Sequence, residues 1–246
     1  MTVTASGASA QVYTIVQGST TTTVTIDTVA NTTTIASGST TVVTTGVPTQ
    51  DLTAGVVSRD ATMLYVDGNI TALNGGGQGV GVIQNVTALD VVANGSVTLT
   101  GDLLYKSEPV TMAQSGSTPA DTLIPANNYG QTLGIYTATG NVNLANTQSN
   151  GNMEIDATMA MISSGGSGGL VNTGNAINTL TIVGGRIQNT IQNIGATTRN
   201  VWFDGRYASG GFAPPWFPST TVTASATSPQ TTVTANRTNW VNTTAQ

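Results

Sequence analysis

A chain of 246 residues with a net charge of −5 and only 7% charged side chains has too few cations to neutralise phosphates, which argues against nucleic-acid binding. It has no His and no Cys, so Ser-His-Asp and Cys-His catalysis, a usual zinc site and any disulfide are excluded together. Solubility then rests on Thr, Ser, Asn and Gln, a balance associated with exported proteins, and the polar opening Met1–Ser6 carries neither a signal peptide nor a membrane span.

Residues 1–50 are Thr-rich and alternate. Gln11–Gly18, Thr22–Asp27, Thr32–Gly38 and Thr40–Gly46 read as strands, with turns at Gly18-Ser19, Ala30-Asn31 and Gly38-Ser39. Connections this short predict an antiparallel meander, placed as a cap at the start of the next segment. The alternative is a low-complexity Thr-rich linker; the regular spacing of Val and Ile favours strands.

Residues 60–190 carry a recurring unit of short strand, Gly or Asn-Gly corner, and short strand. Tyr65-Val-Asp-Gly-Asn-Ile70 returns as Val91-Val-Ala-Asn-Gly-Ser-Val97, so Ile70 and Val97 fall in matching places 27 residues apart. Ile155 and Ile182 repeat the spacing, and Val142 and Leu144 repeat the roles of Val97 and Leu99. A unit that returns after one coil's worth of residues predicts an all-β fold, a parallel β-solenoid with an accessory antiparallel β region from the Thr-rich termini. The Pro-containing stretch from Lys106 to Gln131 reads as a loop extruded from one corner. The glycines at 75–81 lack the Lys and the following helix of a phosphate loop and read as a turn.

Residues 191–218 are aromatic and proline-rich, and are expected to cap the open end of the solenoid. Residues 219–246 return to Thr-Val alternation and are expected to form terminal strands that pair with the first segment. Edge strands of this kind also allow self-association.

The ordered series Tyr65-Val-Asp-Gly-Asn-Ile, Gly101-Asp-Leu-Leu-Tyr-Lys, Leu133-Gly-Ile-Tyr, Gly140-Asn-Val, Ile155-Asp-Ala-Thr-Met-Ala, Leu180-Thr-Ile-Val-Gly-Gly-Arg-Ile-Gln, Arg199-Asn-Val-Trp-Phe-Asp-Gly-Arg-Tyr and Ala213-Pro-Pro-Trp-Phe-Pro resembles the solenoid-bearing domain of bacterial type IV pilus-associated proteins, the PilX-like and DUF4900-like minor-pilin-related group. The resemblance covers about residues 60–218. It implies a non-enzymatic, exported module of a pilus-like or secretion-related surface assembly, extracellular or at the bacterial cell surface, with protein partners and no cofactor. The family's apolar N-terminal helix is absent from this sequence.

Carboxylates are the remaining catalytic candidates. Glu154 and Asp156 project to one side of a strand, and Asp67, Asp90 and Asp102 are placed to stack on neighbouring coils, as in carbohydrate-active solenoids. The competing reading is solvated turn residues, with no cation nearby in sequence. Calcium would need repeats that the glycine-rich corners lack, so no metal site is expected. Trp202, Arg206, Trp216 and Phe217 are the candidates for a ligand surface, glycan included, set against a packed structural cap.

Overall fold

The computed structural model describes residues 1–50, 59–108, 110–111, 122–125, 130–163, 167–209 and 213–216. Five strands open the chain: β1 Thr2–Ser6, β2 Ala10–Gln17, β3 Thr20–Asp27, β4 Thr32–Ser37 and β5 Thr40–Thr45. They form one antiparallel sheet in sequence order. The predicted strands and turns are present, and β1 is an addition: its Thr-Val-Thr alternation is too short to stand out from a merely polar opening.

The chain then makes repeated passes through three further sets of strands. After the two-residue β6 (Thr49–Gln50), the first pass is β7 Arg59–Val66, β8 Ile70–Leu73 and β9 Gly81–Ile83. The second is β10 Thr87–Ala93, β11 Val97–Leu99 and β12 Leu104–Tyr105. An excursion carries β13 Val110–Thr111 and β14 Thr122–Pro125. The third pass is β15 Thr132–Thr137, β16 Val142–Leu144 and β17 Met153–Asp156. The fourth is β18 Thr158–Met161, β19 Leu170–Asn172 and β20 Thr179–Gly184. The chain continues into β21 Arg186–Gln188, β22 Thr198–Asp204 and a short 3-10 turn at Gly205–Ser209.

Each pass lands in parallel beside the one before. The first set runs β7-β10-β15-β18-β21 and the second β8-β11-β16-β19. In the third, β9 pairs β12, a Leu103–Ile155 bridge joins the next step, and β17-β20-β22 follow. The matches read from sequence hold residue for residue: Ile70 faces Val97, Val97 faces Val142, Leu99 faces Leu144, and Ile155 faces Ile182. The fold is therefore all-β, with parallel and antiparallel sheets combined.

In-register pairing stacks like side chains into apolar columns. Leu64, Val91, Ile135 and Met159 form one; Ile70, Val97, Val142 and Leu170 form another. All belong to or pack on one continuous core that also holds Ile155 and Ile182. Corners are stitched by side-chain amides and hydroxyls. Asn69 accepts from the Ser96 N–H (2.7 Å), Ser96 Oγ from the Asn141 N–H (3.1 Å), and Asn141 Oδ1 from the Gly169 N–H (3.0 Å). Gly95 is required here, because a Cβ would stand 2.2 Å from the Asn69 oxygen.

The two ends of the columns are finished differently. At the first pass the meander lies over the core: Val3, Tyr13 and Ile26 are buried in it, and the Val3 N–H donates to the Asn74 carbonyl. Gln11, fully buried, donates to the carbonyls of Thr4 and Val82 (2.9 Å each) and accepts from the Gln84 N–H (2.9 Å). At the other end most inward positions turn polar, although Ile182 is followed by the apolar Val201. Met159 is followed by Arg186, Met161 by Gln188, Leu144 by Asn172 and Leu180 by Arg199. A charge at an inward position of the last strand stops further strands from adding.

Two expectations are revised. The 106–131 stretch contains strands: β13 pairs antiparallel with β14, and β14 adds in parallel to β22 at Thr122–Phe203 and Leu123–Asp204. The excursion thus covers the edge of a strand that forms only near the end of the described chain. Residues 198–204, expected within a cap laid across the end, extend the third set as a strand in register with β20. The expected strands of 219–246 lie outside the described residues.

Ile155→Ala deletes the centre of a fully buried column. It is expected to lower unfolding free energy by about 2–5 kcal/mol in urea denaturation, whereas Val29→Ala, at an exposed turn, should stay within about 0.5 kcal/mol.

Candidate functional site

Ladder parity decides which side chains face outward. On β17, Met153 and Ile155 enter the core, so Glu154 and Asp156 share the outer side, as their spacing predicts. Asp102 lies beside them: it accepts from the Glu154 N–H (2.8 Å) and from the Gly79 N–H (2.8 Å), tying successive passes together. Asp67 and Asp90 go elsewhere. Asp67 is exposed and accepts from Asn94 Nδ2 (3.0 Å), and Asp90 stands on β10 between Met63 and Gly134. The predicted stack of three aspartates does not form.

Asp156 is fully buried and accepts from the Tyr105 N–H (2.8 Å), while its second oxygen has no hydrogen-bond partner. Burial, with the nearby Glu108 charge, pushes its carboxyl well above the ordinary range. Burial likewise raises Glu154, helped by the charges of Glu108 and Asp102.

An arginine from later in the chain is buried in this region, paired with Asp204 and not with Glu154 or Asp156. Asp204, the last residue of β22, and Arg206, in the turn after it, form an ion pair of 2.6 Å. The Arg206 Nε donates to both Asp204 oxygens (3.0 Å), and Nη1 donates to the Gln131 carbonyl (2.9 Å). The guanidinium also lies 5.3 Å from the Tyr105 ring centroid. Both partners are buried, so this arginine fastens the 3-10 turn to the second and third passes and offers nothing to a ligand outside. Asp156 and Asp204 are closed to a substrate for the same reason.

The four residues singled out as a ligand surface therefore have separate fates. Arg206 is internal. Trp202 is half-buried against Val183 on the outer side of the third set. Trp216 is 50% exposed, next to the buried Pro214 and Pro215. Phe217 lies outside the described residues. Sequence reasoning missed the inward-facing Gln11 and the burial of Asp204–Arg206. The Asp-Gly-Arg run is visible in the sequence, but nothing local says that β14 will cover it.

Among the described residues no group of three acidic side chains is placed to hold a metal ion, and no helix is long and apolar enough to cross a membrane. Compared with protein-family models, curated proteins and solved structures, the chain finds no match. The likeness to pilus-associated domains accordingly rests on the ordered motifs alone.

Asp90, on β10 and apart from Glu154 and Asp156, carries a pH signature of its own. It is 1% exposed, with one oxygen unpartnered, and burial raises its pKa to about 7. A carboxyl whose folded value exceeds its unfolded value favours folding while protonated, so stability falls as pH rises from the unfolded value toward about 7. Asp156 and Glu154 act in the same direction. Between about pH 5 and pH 7 Asp90 alone is expected to remove about 2 kcal/mol, and Asp90→Asn should flatten that slope and stabilise the protein at neutral pH. Urea melts at the two pH values check this; stability that rises toward pH 7 contradicts it.

Proposed function

We infer that residues 59–204 wind as a parallel β-solenoid, and that the chain serves as a non-enzymatic structural module of an extracellular, pilus-like surface assembly, acting through protein or surface contacts. The carrying observation is the three sets of parallel pairings, entered in rotation by successive passes, with register shifts at β8–β11 and β9–β12 and a single bridge from Leu103 to Ile155. Stacked passes produce a stiff body whose outer faces are long and regular, a suitable spacer and contact surface. The chemistry of the acids supports the same reading. The most perturbed, Asp156 and Asp90, are interior, and Asp156 accepts from the Tyr105 N–H, where a hydrolase needs a carboxyl pair open to its substrate. Few charges and many β-branched threonines suit a body exposed to changing ionic strength. In the native host, protease shaving or antibody labelling of intact cells is expected to reach the protein. Its confinement to the cytosol would sink the proposal.

One observation favours a second reading, glycan binding: Trp216 presents half its surface to solvent, and an exposed indole stacks on sugar rings. On that reading Trp216→Ala abolishes retention on a glycan array with folding unchanged; equal retention of variant and parent removes it.

A further inference from the structure

The meander ends in a bare edge. All six residues of β5 are exposed, and among the described residues the strand is paired on one side only, with β4. Two other edges are engaged: β14 lies along β22, and Val3 of β1 bonds to Asn74 at the end of β8; β19 and β21 also end their sheets, and β21 carries Arg186 there. None of the devices that blunt an edge is present on β5. Its pairing with β4 runs without a bulge from Thr32–Thr45 to Ser37–Thr40, it contains no proline, and residues 28–50 hold no charged side chain.

Its polar groups point in a defined pattern. The Gly46 N–H bonds to the Asn31 carbonyl, so by antiparallel alternation Thr40, Val42 and Thr44 bond to β4. Thr41, Val43 and Thr45 direct N–H and C=O away from the sheet. A row of apolar side chains crosses the meander toward this edge: Val3, Tyr13, Val24, Ile35 and Val42, each opposite the next. Exposure climbs along it from 1% at Val3 and 0% at Tyr13 to 45% at Ile35 and 53% at Val42. The row starts in the core and ends in water.

We propose that the β5 edge is a dimerisation site that takes a second copy of this chain in antiparallel, two-fold pairing, with Val42 opposite Val42 of the other copy. That register sets Thr41 opposite Val43, both of which direct backbone groups outward, so the hydrogen-bond parity is met. It places Thr40 opposite Thr44 and continues the apolar row into the Ile35 of the second copy. The occupant follows from self-match: the strand reads Thr-Thr-Val-Val-Thr-Thr, and a chain of net charge −5 meets its copy here with no like charges to repel. A six-residue edge buries less than the roughly 1,200 Å² of a stable interface, so the dimer is weak and concentration-dependent.

Sedimentation velocity of the full chain, over about a hundredfold range of concentration, is expected to move from the 24.9 kDa monomer toward twice that mass. Val43→Pro should abolish the shift without disturbing the meander, because the Val43 N–H points away from β4. Val43→Lys is the second variant should the proline impair folding, and circular dichroism and melting show that each is folded. In this cysteine-free chain Val42→Cys should oxidise to a covalent dimer, while Thr22→Cys, on an inner strand, should not. A monomer at every concentration, or a dimer that both Val43 variants leave intact, overturns the proposal.

Discussion

Columns of apolar side chains, built by parallel strands in register, govern this molecule, and such columns must be stopped. A stacked ladder has two ends, each with unpaired amides and exposed core. Here one end is closed by covering and the other by changing residue type. The meander lays Val3, Tyr13 and Ile26 over the first pass, and the buried Gln11 satisfies backbone groups that the missing neighbour would have taken. At the other end Arg186, Gln188, Asn172 and Arg199 occupy inward positions. Most columns end where their sequence ceases to be apolar; the one through Ile155 and Ile182 ends on the partly exposed Val201.

The scarcity of charge follows from the same architecture. Most backbone groups are used by ladders, and the corners use Asn, Ser and Asp side chains to satisfy the remainder, as in the chain of bonds from Asn69 through Ser96 and Asn141 to Gly169. Charges that do enter the structure are used locally. Asp102 joins passes, and Arg206 holds Asp204, Gln131 and the Tyr105 ring at once. Removing one member of such a buried pair leaves the other uncompensated, which costs about 3–5 kcal/mol. Of the carboxylates that look catalytic on the strand pattern, Asp67, Asp102 and Asp156 are thus part of what keeps the passes together.

Periodicity makes the ladders legible. Ile70 with Val97 and Ile155 with Ile182 are paired in space as their spacing predicts, and the Thr-Val alternation of 11–46 gives its meander. Contacts with no local signature escape such a reading. Gln11 reaches Val82 across 71 residues, and nothing near it marks a buried glutamine. The strand Thr122–Pro125 is hidden in a proline-containing segment because its partner, β22, lies some eighty residues on. Arg206 reads as a surface group because burial by a distant excursion cannot be seen from Asp-Gly-Arg alone. Outer-face acids are legible as to side but not as to neighbours: Glu154 and Asp156 share a face, while Asp67 and Asp90 diverge.

Register is the claim on which the rest stands, and it can be read chemically. Thr98 and Asn143 are direct parallel partners, their side chains 3.4 Å apart on the outer face. In the cysteine-free chain, Thr98→Cys with Asn143→Cys is expected to close an intramolecular disulfide under mild oxidation with the melting temperature preserved or raised. Thr98→Cys with Asn141→Cys, two positions out of step, should stay reduced. Cross-linking of the shifted pair in place of the matched one would contradict the ladder and the columns built on it.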